Sequence, residues 1–518
     1  MKRQFILRLN EFAKKMQTHL LSITESMHLC FRKSVKIQYI FPDLAFFSLI
    51  LVLFLFTNSC KKDKIITDMS AKLVFSSDTI FFDTVFTTVG STTKQLKIYN
   101  SYDRKIIVSS IRLAGGINSN FRLNIDGISA SEMNNVEIEP KDSIFIFIKV
   151  TVDPNNYNSP LVVSDSILFE TNGNLQQVQL VAWGQDAYYH TPDHFYPNFP
   201  PYSIIHCDDI WTNDKPHVIY GYAVVDSACI LTIKENARIC FHKNSVLWVY
   251  KDGTLKVQGT LGNPVTFQGD RLEQYYKDLP GQWGKIWLSA GSKNNEIDHA
   301  IIKNGIVGIH VDTTSINPIQ PTLIIKNTII ENMSAAGIFA QGSWVEAENC
   351  VIGNCGQYAV VFNIGGNYDF RHCTIGNYWN YSIRNTTSIV LNNWYEDINH
   401  QIQLRDLVKT YFGNCIIYGS VAEEILLDSK SGALFNYKFD HCLLKTQLNT
   451  SDPNFYVSCI INSDPAFVDV SINNYQLNSG SAAINKGLMS IAQYIPFDIL
   501  RHNRTNDAAP DMGAYEKK

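Results

Sequence analysis

The chain has 518 residues, with 44 Lys and Arg against 48 Asp and Glu for a formal net charge of −4, and 12% of its residues are aromatic. At about 100 to 200 residues per domain, this length predicts roughly two to four domains. The near-neutral charge excludes the basic footprint of a nucleic-acid-binding protein, so no nucleic-acid partner is predicted. The many Tyr, Phe, Val and Ile residues exclude a disordered chain and indicate a mostly β protein.

The first feature along the chain is an apolar run, Leu44 to Phe56, of thirteen residues with one polar member. It is shorter than the ~20 residues of a membrane-spanning helix and is typical of the apolar part of an export signal. The following Thr57-Asn58-Ser59-Cys60 resembles the cleavage site of a bacterial lipoprotein signal, which implies lipidation of Cys60. We interpret residues 1–59 as a lipoprotein-type signal region, with an uncleaved anchor helix as the alternative.

Residues 60–70 are then a tether, and the resemblance implies a cell-envelope protein. It would be anchored to the outer membrane through its lipid and would face either the periplasm or the cell surface.

Residues 71–187 contain about seven short β-rich runs separated by turn residues, which is typical of an antiparallel sandwich. Asp83-Thr84-Val85, Ile138 to Val152 and Val178 to Gly184 resemble the abnormal-spindle/Hydin type of immunoglobulin-like domain. This resemblance implies a spacer or a binding module and no chemistry. Residues 188–204 are rich in Pro and aromatic residues and predict a stiff linker.

Six hexapeptides that begin with His or Asn recur through the second half of the chain. They are HAIIKN at 299, NTIIEN at 327, NCVIGN at 349, HCTIGN at 372, NCIIYG at 414 and HCLLKT at 441. Their intervals of 28, 22, 23, 42 and 27 residues indicate one or two turns of a β-solenoid, whose coils stack ~4.8 Å apart. Equivalent residues are therefore expected to lie in files along the solenoid, and the four Cys at the second position are the sharpest test.

The repeats resemble the right-handed parallel β-helix proteins of the pectate-lyase-like superfold over residues 205–480. Residues 263–267 and 281–286 resemble the entry coils of exported bacterial β-helix lipoproteins, and residues 481–518 resemble their C-terminal cap. The predicted fold is all-β, with an immunoglobulin-like sandwich followed by a right-handed parallel β-helix.

Nine cysteines follow Cys60, and this odd number at irregular spacing is incompatible with a complete disulfide framework. We expect them to be buried thiols. His299, His372 and His441 lie several repeats apart, which favours a role in filling a ladder over metal binding, so no metal site is predicted.

An acidic cluster of Asp270, Glu273 and Asp278, beside Arg271 and Lys277, lies in a break between strands. Loops that leave a rigid scaffold commonly carry active residues. These three acids are the candidate catalytic residues if the protein is a polysaccharide lyase or a glycoside hydrolase, and a lyase would add calcium as a cofactor. The alternative is a solvated charged loop, with no catalysis and no cofactor.

Five aromatic residues and one Arg form a second candidate site within eighteen residues of sequence. They are Tyr378, Trp379, Tyr381, Arg384, Trp394 and Tyr395. Sugar rings stack on aromatic side chains and Arg bonds their hydroxyls, so this composition predicts a glycan groove. The alternative is a coil insertion whose aromatic residues pack onto the rod.

These observations predict an envelope lipoprotein whose β-helix recognises a polysaccharide or a similar extended surface polymer without catalysis. A long rod with a constant repeat suits a polymer better than a small ligand. Two alternatives remain open, namely a lyase or hydrolase on the β-helix and a structural adhesin that binds protein.

Overall fold

The computed structural model describes residues 65–86, 90–152, 161–314 and 319–518, which fold almost entirely as β-strands. The predicted signal region, the lipidation site Cys60 and the first part of the tether lie outside these residues. Within the described ranges, no helix is long and apolar enough to cross a membrane.

The N-terminal domain is a β-sandwich of two five-stranded sheets. Its strands are β1 (Val74–Phe75), β2 (Thr79–Phe86), β3 (Lys94–Tyr99), β4 (Ile106–Leu113), β5 (Phe121–Ile125), β6 (Ile128–Ser129), β7 (Glu132–Ile138), β8 (Ser143–Val150), β9 (Leu161–Thr171) and β10 (Asn174–Gln185). One sheet has the order β1-β3-β8-β5-β6 and the other has the order β2-β10-β9-β4-β7, with β2 and β10 parallel and the other pairs antiparallel. In β8, Ile144, Ile146 and Ile148 alternate with less buried residues, as a two-layer sandwich requires.

The second domain is a parallel solenoid, as the repeats predict. Its strands in chain order are β11 (Tyr188–His190), β12 (Tyr202–Ile204), β13 (Ile210–Trp211), β14 (His217–Ile219), β15 (Tyr222–Val225), β16 (Ile230–Lys234), β17 (Arg238–Phe241), β18 (Val246–Val249), β19 (Thr254–Gln258), β20 (Val265–Gly269), β21 (Lys285–Leu288), β22 (Asn295–Asp298), β23 (Ala300–Lys303), β24 (Val307–Val311), β25 (Leu323–Lys326), β26 (Ile329–Met333), β27 (Ala336–Glu348), β28 (Val351–Cys355), β29 (Tyr358–Arg371), β30 (Thr374–Asn377), β31 (Ile389–Asn392), β32 (Trp394–Glu396), β33 (Ile402–Leu404), β34 (Leu407–Gly413), β35 (Ile416–Gly419), β36 (Ile425–Asp428), β37 (Lys438–Asp440), β38 (Leu443–Leu444), β39 (Tyr456–Val457) and β40 (Ile460–Ile461).

These strands form three faces, in which each strand pairs in parallel with its equivalent one coil away. Face 1 contains β12, β15, β18, β21, β24, the first halves of β27 and β29, β31 and β36. Face 2 contains β13, β16, β19, β22, β25, the second halves of β27 and β29, β34, β37 and β39. Face 3 contains β11, β14, β17, β20, β23, β26, β28, β30, β35, β38 and β40. The strands β32 and β33 form a hairpin outside the faces.

The second-position cysteines lie in one file inside the solenoid, which confirms the predicted stacking. The residues that follow them pair in register as Val351–Thr374, Thr374–Ile416 and Ile416–Leu443. The four cysteines themselves, Cys350, Cys373, Cys415 and Cys442, are fully buried. Their small side chains fill a crowded interior row at the corner between faces 2 and 3.

The choice of His or Asn at the first position of each hexapeptide is explained by the backbone conformation there, which the repeat alone does not reveal. His299, Asn327, Asn349, His372, Asn414 and His441 all adopt left-handed φ angles, between 48° and 53°. Asn and His are enriched in this conformation, which makes the sharp turn from face 2 to face 3. Some side chains also bond along the file, since Asn349 Nδ2 donates to Asn327 Oδ1 at 3.2 Å and Asn414 Nδ2 donates to His372 Nε2 at 3.0 Å.

The expectation that all nine cysteines are thiols is wrong for one pair, because Cys207 and Cys229 form a disulfide. Both lie at the corner between faces 1 and 2, one coil apart in the chain at a separation of 22 residues. Stacking of the coils brings their Cα atoms to 4.8 Å, a separation that a disulfide accepts. The other seven are free, and six of them are buried.

Face 3 is covered by the chain's own flanking segments. Near the N-terminal end, Phe86 of the sandwich packs against Val218 and Cys240. Further along, Tyr475 packs directly onto two glycines, since a Cβ added at Gly353 would meet its hydroxyl oxygen and one added at Gly376 would meet its ring, each at 2.6 Å. We call residues 467–518 the cap; it lies along the side of face 3, and its elements are β41 (Phe467–Asp469), β42 (Asn474–Leu477) and helix α1 (Met489–Ala492). It includes the predicted cap, residues 481–518, and the segment just before it. Three 3-10 helices, Gly116–Asn118, Gln274–Tyr276 and Val470–Ile472, complete the described helical elements.

Candidate functional site

The aromatic residues predicted to form one groove divide into two groups. Tyr378, Trp379 and Tyr381 follow β30 in the connection from face 3 to face 1. Trp394 and Tyr395 belong to β32, in the connection from face 1 to face 2. Residues close in sequence therefore leave the solenoid at different corners.

The first group packs onto the cap and onto the acidic loop. The Tyr378 ring lies 6.2 Å from Tyr475 and 6.1 Å from Phe467. The rings of Trp379 and Tyr381 are 5.1 Å apart, and the Tyr381 hydroxyl donates to the backbone oxygen of Asp278 at 2.6 Å. This contact joins one member of the predicted binding set to one member of the predicted catalytic set.

The rings of the second group make cation–π contacts with basic side chains. Lys430 Nζ lies 4.2 Å from the centre of a Trp394 ring, and the Arg405 guanidinium lies 5.4 Å from the Tyr395 ring. The hairpin pairs Trp394 with Leu404, so both aromatic side chains are half-buried.

Arg384 is a structural residue in this arrangement. It is 6% exposed, and its guanidinium donates to Glu424 Oε2 at 2.9 Å and to Glu424 Oε1 at 2.7 Å. Ser388 Oγ donates to the same carboxylate at 2.6 Å. This buried ion pair fixes the connection between β30 and β31, and the guanidinium faces protein groups.

Each of the three candidate catalytic acids has a protein partner, and two of them, Asp270 and Glu273, line one small cavity with residues of the sandwich. Asp270 Oδ2 lies 2.7 Å from His242 Nδ1, and Asp278 Oδ1 lies 3.8 Å from Lys303 Nζ. Glu273 Oε1 accepts from the hydroxyl of Thr92 in the sandwich at 2.7 Å. Burial raises the pKa of Asp270 despite its imidazole partner. The acidic loop therefore helps to join the sandwich to the solenoid.

The outer surface of face 1 carries a file of aromatic and apolar side chains that the hexapeptides do not include. It runs through Val224, Trp248, Trp287, His310, Phe339, Val361, Val390 and Leu426. We call it the aromatic column. The indoles of Trp248 and Trp287 stack with centroids 4.9 Å apart, and His310 continues the stack 6.1 Å from Trp287.

A polar column runs parallel to it, two residues further along each strand. Its members are Asp312, Gln341, Asn363, Asn392 and Asp428. Gln341 Nε2 donates to Asp312 Oδ1 at 3.1 Å, and Asn392 Nδ2 donates to Asp428 Oδ2 at 2.9 Å. Rings and polar groups lie side by side in two coils, at His310 with Asp312 and at Phe339 with Gln341, and the later polar residues lie beside Val361, Val390 and Leu426.

The two columns meet in a hydrogen-bonded array of Lys285, His310 and Asp312. Lys285 Nζ lies 2.6 Å from His310 Nδ1, and His310 Nε2 lies 3.0 Å from Asp312 Oδ1. The Trp287 indole donates to Asp312 Oδ2 at 2.8 Å. Burial lowers the pKa of Lys285, although Asp312 opposes this effect.

The pKa values of the other two groups in the array are also shifted. Burial lowers the pKa of His310, and the nearby Lys285 adds to this shift while Asp312 opposes it. Burial alone would raise the pKa of Asp312, but hydrogen bonds from His310, Trp287 and Gln341 together hold it below its usual value.

The polar column also holds a strained backbone segment. Ile364, a β-branched residue, has a φ of 62°, and Gly365 and Gly366 continue with φ values of 71° and 124°. Left-handed φ angles are costly for β-branched residues and concentrate at functional sites. The Ile364 N–H donates to Asn392 Oδ1 at 3.2 Å, so a column residue holds the strained turn in place.

Face 2 differs, because its outer charges are paired with one another. Lys256 bonds Glu296, Lys326 bonds Glu348, and Asp369 accepts from both Arg371 and Lys409. Face 3 is covered by the sandwich and the cap. Face 1 carries aromatic rings and has no such charge network in the described residues. Its first coils are covered, since Phe199 of the linker lies 5.8 Å from Trp248, which is 9% exposed, while Trp287, His310 and Phe339 further along are partly exposed.

The described residues contain no group of three or more His, Cys, Asp or Glu that could hold a metal ion. Carboxylates in line with the polar column, Asp226, Asp312 and Asp428, lie three and four coils apart. At ~4.8 Å per coil these separations are roughly 14 and 19 Å, beyond the ~6.5 to 9.5 Å of an inverting hydrolase pair.

Residues 284–444 match the family model described as a right-handed beta helix region. The match covers the coils that carry Lys285, His310, Asp312 and the strained turn. The right-handed β-helix expected from the repeats is thus supported by the strand topology and by this match. No curated protein matches the chain.

Solved structures show distant likenesses. The chain is similar to the catalytic domain of a GH87 alpha-1,3-glucanase in complex with tetrasaccharides, at 10% identity over 71% of this chain and 87% of that one, with a TM-score of 0.16. It is similar to the ASH / PapD-like domain of human CEP192, at 7% identity over 30% of this chain and 97% of that one, with a TM-score of 0.16.

A family 123 glycoside hydrolase from Clostridium perfringens aligns at 7% identity over 22% of this chain and 27% of the hydrolase, with a TM-score of 0.17. Such low scores carry no argument about activity.

The hexapeptide analysis missed the two columns because they belong to another face of the same coils. The strands GKIWLS, VGIHVD and AGIFAQ carry the signal, since each places an aromatic ring two residues before a polar side chain. Alignment of these segments at the coil period would have found Trp287, His310 and Phe339.

Proposed function

We propose that the outer surface of face 1 binds an extended polysaccharide and does not cleave it. The observation that carries this proposal is the pair of columns on one face. Partly exposed rings from Trp287 to Phe339 lead into a line of amides and carboxylates from Asp312 to Asp428, and the two overlap at His310 with Asp312 and at Phe339 with Gln341. Sugar C–H faces stack on aromatic rings, and amide and carboxylate groups bond hydroxyls. The constant step of a solenoid suits a repeating ligand.

Matched aromatic variants test this proposal against the groove predicted from sequence. Trp287→Ala and Phe339→Ala remove partly exposed rings of the aromatic column, whereas Trp379→Ala and Trp394→Ala remove rings at the two corners. We expect the first pair to weaken binding on a glycan array by about tenfold each, a loss of roughly 1.4 kcal/mol, and the second pair to leave it unchanged.

If Trp379→Ala and Trp394→Ala weaken binding and the column variants do not, the binding site lies at the corner loops and the proposal is wrong. If no glycan binds but a protein ligand is captured specifically, the adhesin alternative replaces the proposal. Circular dichroism of all four variants checks that each remains folded.

A second candidate function, polysaccharide β-elimination, is favoured by one observation. Lys285, whose pKa burial lowers, is half-buried and contacts the His310–Asp312 pair. A neutral Lys285 amine would take the proton α to a uronate carboxylate, the electron pair would form the carbon–carbon double bond, and the bond to the leaving sugar oxygen would break. The leaving oxygen takes a proton from water or from the resulting ammonium.

Ultraviolet absorbance of the unsaturated product tests for elimination directly. Acidic polysaccharides that give this absorbance with the native protein and not with Lys285→Met would establish a lyase. If no acidic polysaccharide gives this absorbance with the native protein, elimination is ruled out for these substrates and the binding proposal stands.

The rest of the chain fits an envelope role. We propose that residues 1–59 direct export, that Cys60 is lipidated and anchors the protein to the outer membrane, and that the sandwich is an immunoglobulin-like spacer. Metabolic labelling with a radioactive fatty acid, compared between the native chain and Cys60→Ala, tests the anchor. Equal labelling of both chains contradicts it.

A further inference from the structure

The linker folds over the first coils of face 1 in its stretch between β11 and β12. We call these residues, 191–201, the strap. The ring of Phe199 in the strap lies 5.6 Å from that of Tyr202 in the first coil and 5.8 Å from that of Trp248 in the third. The strap therefore spans the outer surface of face 1 from its first coil to its third.

Outward-facing side chains beneath the strap are buried, whereas the file beyond it is open. Val224, Val246 and Trp248 pack together outside the solenoid core and are 5%, 3% and 9% exposed. Trp287, in the next coil, is partly exposed. The accessible part of the aromatic column therefore begins at Trp287.

Prolines and backbone hydrogen bonds hold the strap in one shape. Four of its eleven residues are Pro, which fixes the backbone φ angle. The His194 N–H donates to the Tyr202 oxygen at 3.0 Å, and the Tyr202 N–H donates to the His194 oxygen at 3.1 Å. Between these residues, the Phe199 N–H donates to the Tyr196 oxygen at 3.2 Å and closes a turn. The strap is therefore a fixed step on face 1.

This step closes one end of the aromatic column. A sugar chain that lies on Phe339 and Trp287 reaches the strap at the next coil. There Phe199 covers Trp248, so the chain cannot continue along the same file. At the opposite end, Leu426 of β36 is 43% exposed, and the file remains open. A bound chain is therefore stopped at one end only.

The first open coil also carries a polar group beside its ring. Lys285 belongs to this coil, and its Nζ lies 4.7 Å from the centre of the Trp287 ring. The same Nζ lies 2.6 Å from His310 Nδ1 in the following coil. Sugar C–H faces stack on aromatic rings while polar side chains bond the hydroxyls. The closed end of the column therefore offers both kinds of contact to the last unit of a chain.

We propose that face 1 binds the end of a linear polysaccharide chain, because the strap stops the chain at Phe199. The terminal sugar stacks on Trp287, and the rest of the chain runs toward Leu426. This inference rests on the proposed function, and it narrows the ligand class to glycans that have a free end of one polarity.

End-capped oligosaccharides test this proposal by calorimetric titration of the full-length protein. The probes are cellohexaose, laminarihexaose, maltohexaose and hexagalacturonate, each with free ends, with a bulky aromatic tag on the reducing end, or with a bulky aromatic ether at the non-reducing end. We expect one cap to weaken binding by about tenfold or more, because it meets the strap, and the other cap to leave binding unchanged. The cap that weakens binding identifies the end that the site holds.

Equal effects of the two caps, whether both are harmless or both are harmful, overturn the inference. Phe199→Ala lowers the step and should reduce the preference for the uncapped chain, whereas Trp344→Ala on face 2 is the matched control and should keep it. The comparison of the caps needs only the native protein, so it decides the question even if Phe199→Ala does not fold.

Trp287→Ala separates failure of this inference from failure of the proposed function. If it weakens the binding of a probe that both caps leave unchanged, face 1 binds the interior of a chain, so the proposed function stands and end recognition is wrong. If Trp287→Ala leaves binding unchanged, the sugar lies elsewhere and both are wrong. If no probe binds, the inference is overturned, and the glycan array decides the proposed function on its own.

Discussion

The indole N–H of Trp287 donates to Asp312 Oδ2 at 2.8 Å, which links the aromatic column to the polar column across one coil. The same carboxylate accepts from Gln341 of the next coil at 3.1 Å. One side chain therefore orients a ring on one side and an amide on the other.

The first prediction concerns this carboxylate. Asp312→Ala should weaken polysaccharide binding by about tenfold, because it releases the Trp287 ring and leaves a buried donor without a partner. Asp312→Asn keeps an acceptor oxygen for the indole and should retain most of the affinity. Calorimetric titration of both variants with the ligand found on the glycan array measures the effect. Equal losses in the two variants would assign the effect to charge and not to ring orientation.

The second prediction concerns the buried ion pair between Arg384 and Glu424. Both side chains are essentially inaccessible, at 1% and 0%. Removal of one partner leaves the other charge buried, so Arg384→Met should destabilise the fold by about 3 to 5 kcal/mol. Urea unfolding measures the loss, and the double variant Arg384→Met/Glu424→Leu should recover part of it. A single variant as stable as the native chain would show that the guanidinium is free for a ligand, as the sequence-based prediction requires.

The third prediction separates backbone strain from hydrogen bonding at Asn327, whose φ is 48°. Asn327→Ala and Asn327→Gly both lose the amide that donates to Asp298 Oδ1 at 2.8 Å. Only Ala also adds the steric cost of a left-handed residue, so its unfolding free energy should be lower than that of Gly by about 1 to 2 kcal/mol. Denaturant titration of the two variants gives this difference. If they are equally stable, the corner does not need a left-handed residue.

The fourth prediction is a loss of stability in acid that arises from the first coil. Burial lowers the pKa of His190 to about 4 and that of His217 to about 3, whereas both ionise near 6.5 in an unfolded chain. Their contribution is therefore fully present above pH 6.5 and falls as the pH decreases toward these values, by up to about 1.4 kcal/mol per pH unit for each imidazole.

Asp209 and Asp214 lie near these imidazoles and partly oppose the shifts. Melting temperatures between pH 7 and pH 4, compared with those of His190→Phe/His217→Phe, isolate the effect. Parallel curves for the two proteins would contradict it.

The fold was predictable from sequence because a solenoid stacks like residues on like residues. Cys350, Cys373, Cys415 and Cys442 recur at the coil period, and their stacking in the structure follows directly from that period. The sandwich was predictable for a similar reason, since alternation along a strand such as β8 reflects burial on one side only.

The candidate site was less accessible to sequence reasoning, because three faces share one period and the hexapeptides report on only one corner. Trp379 and Trp394 are close in sequence, but strand β31 lies between them, so they fall at different corners of the solenoid. The Cys207–Cys229 disulfide was missed because an odd number of cysteines excludes complete pairing but not a single bridge.

Contacts between distant segments, such as Tyr475 on Gly353, have no local signal at all. Such contacts decide which surfaces remain available, so the covered face could not be identified before the cap was located.

The cover over face 3 limits which surfaces of the solenoid a second molecule can reach. The sandwich shields one stretch of that face through Phe86, and the cap shields another through Tyr475. Where these shields lie, another molecule reaches the coils only from face 1 or from face 2. A ligand that follows the solenoid therefore has to run along one of those two faces.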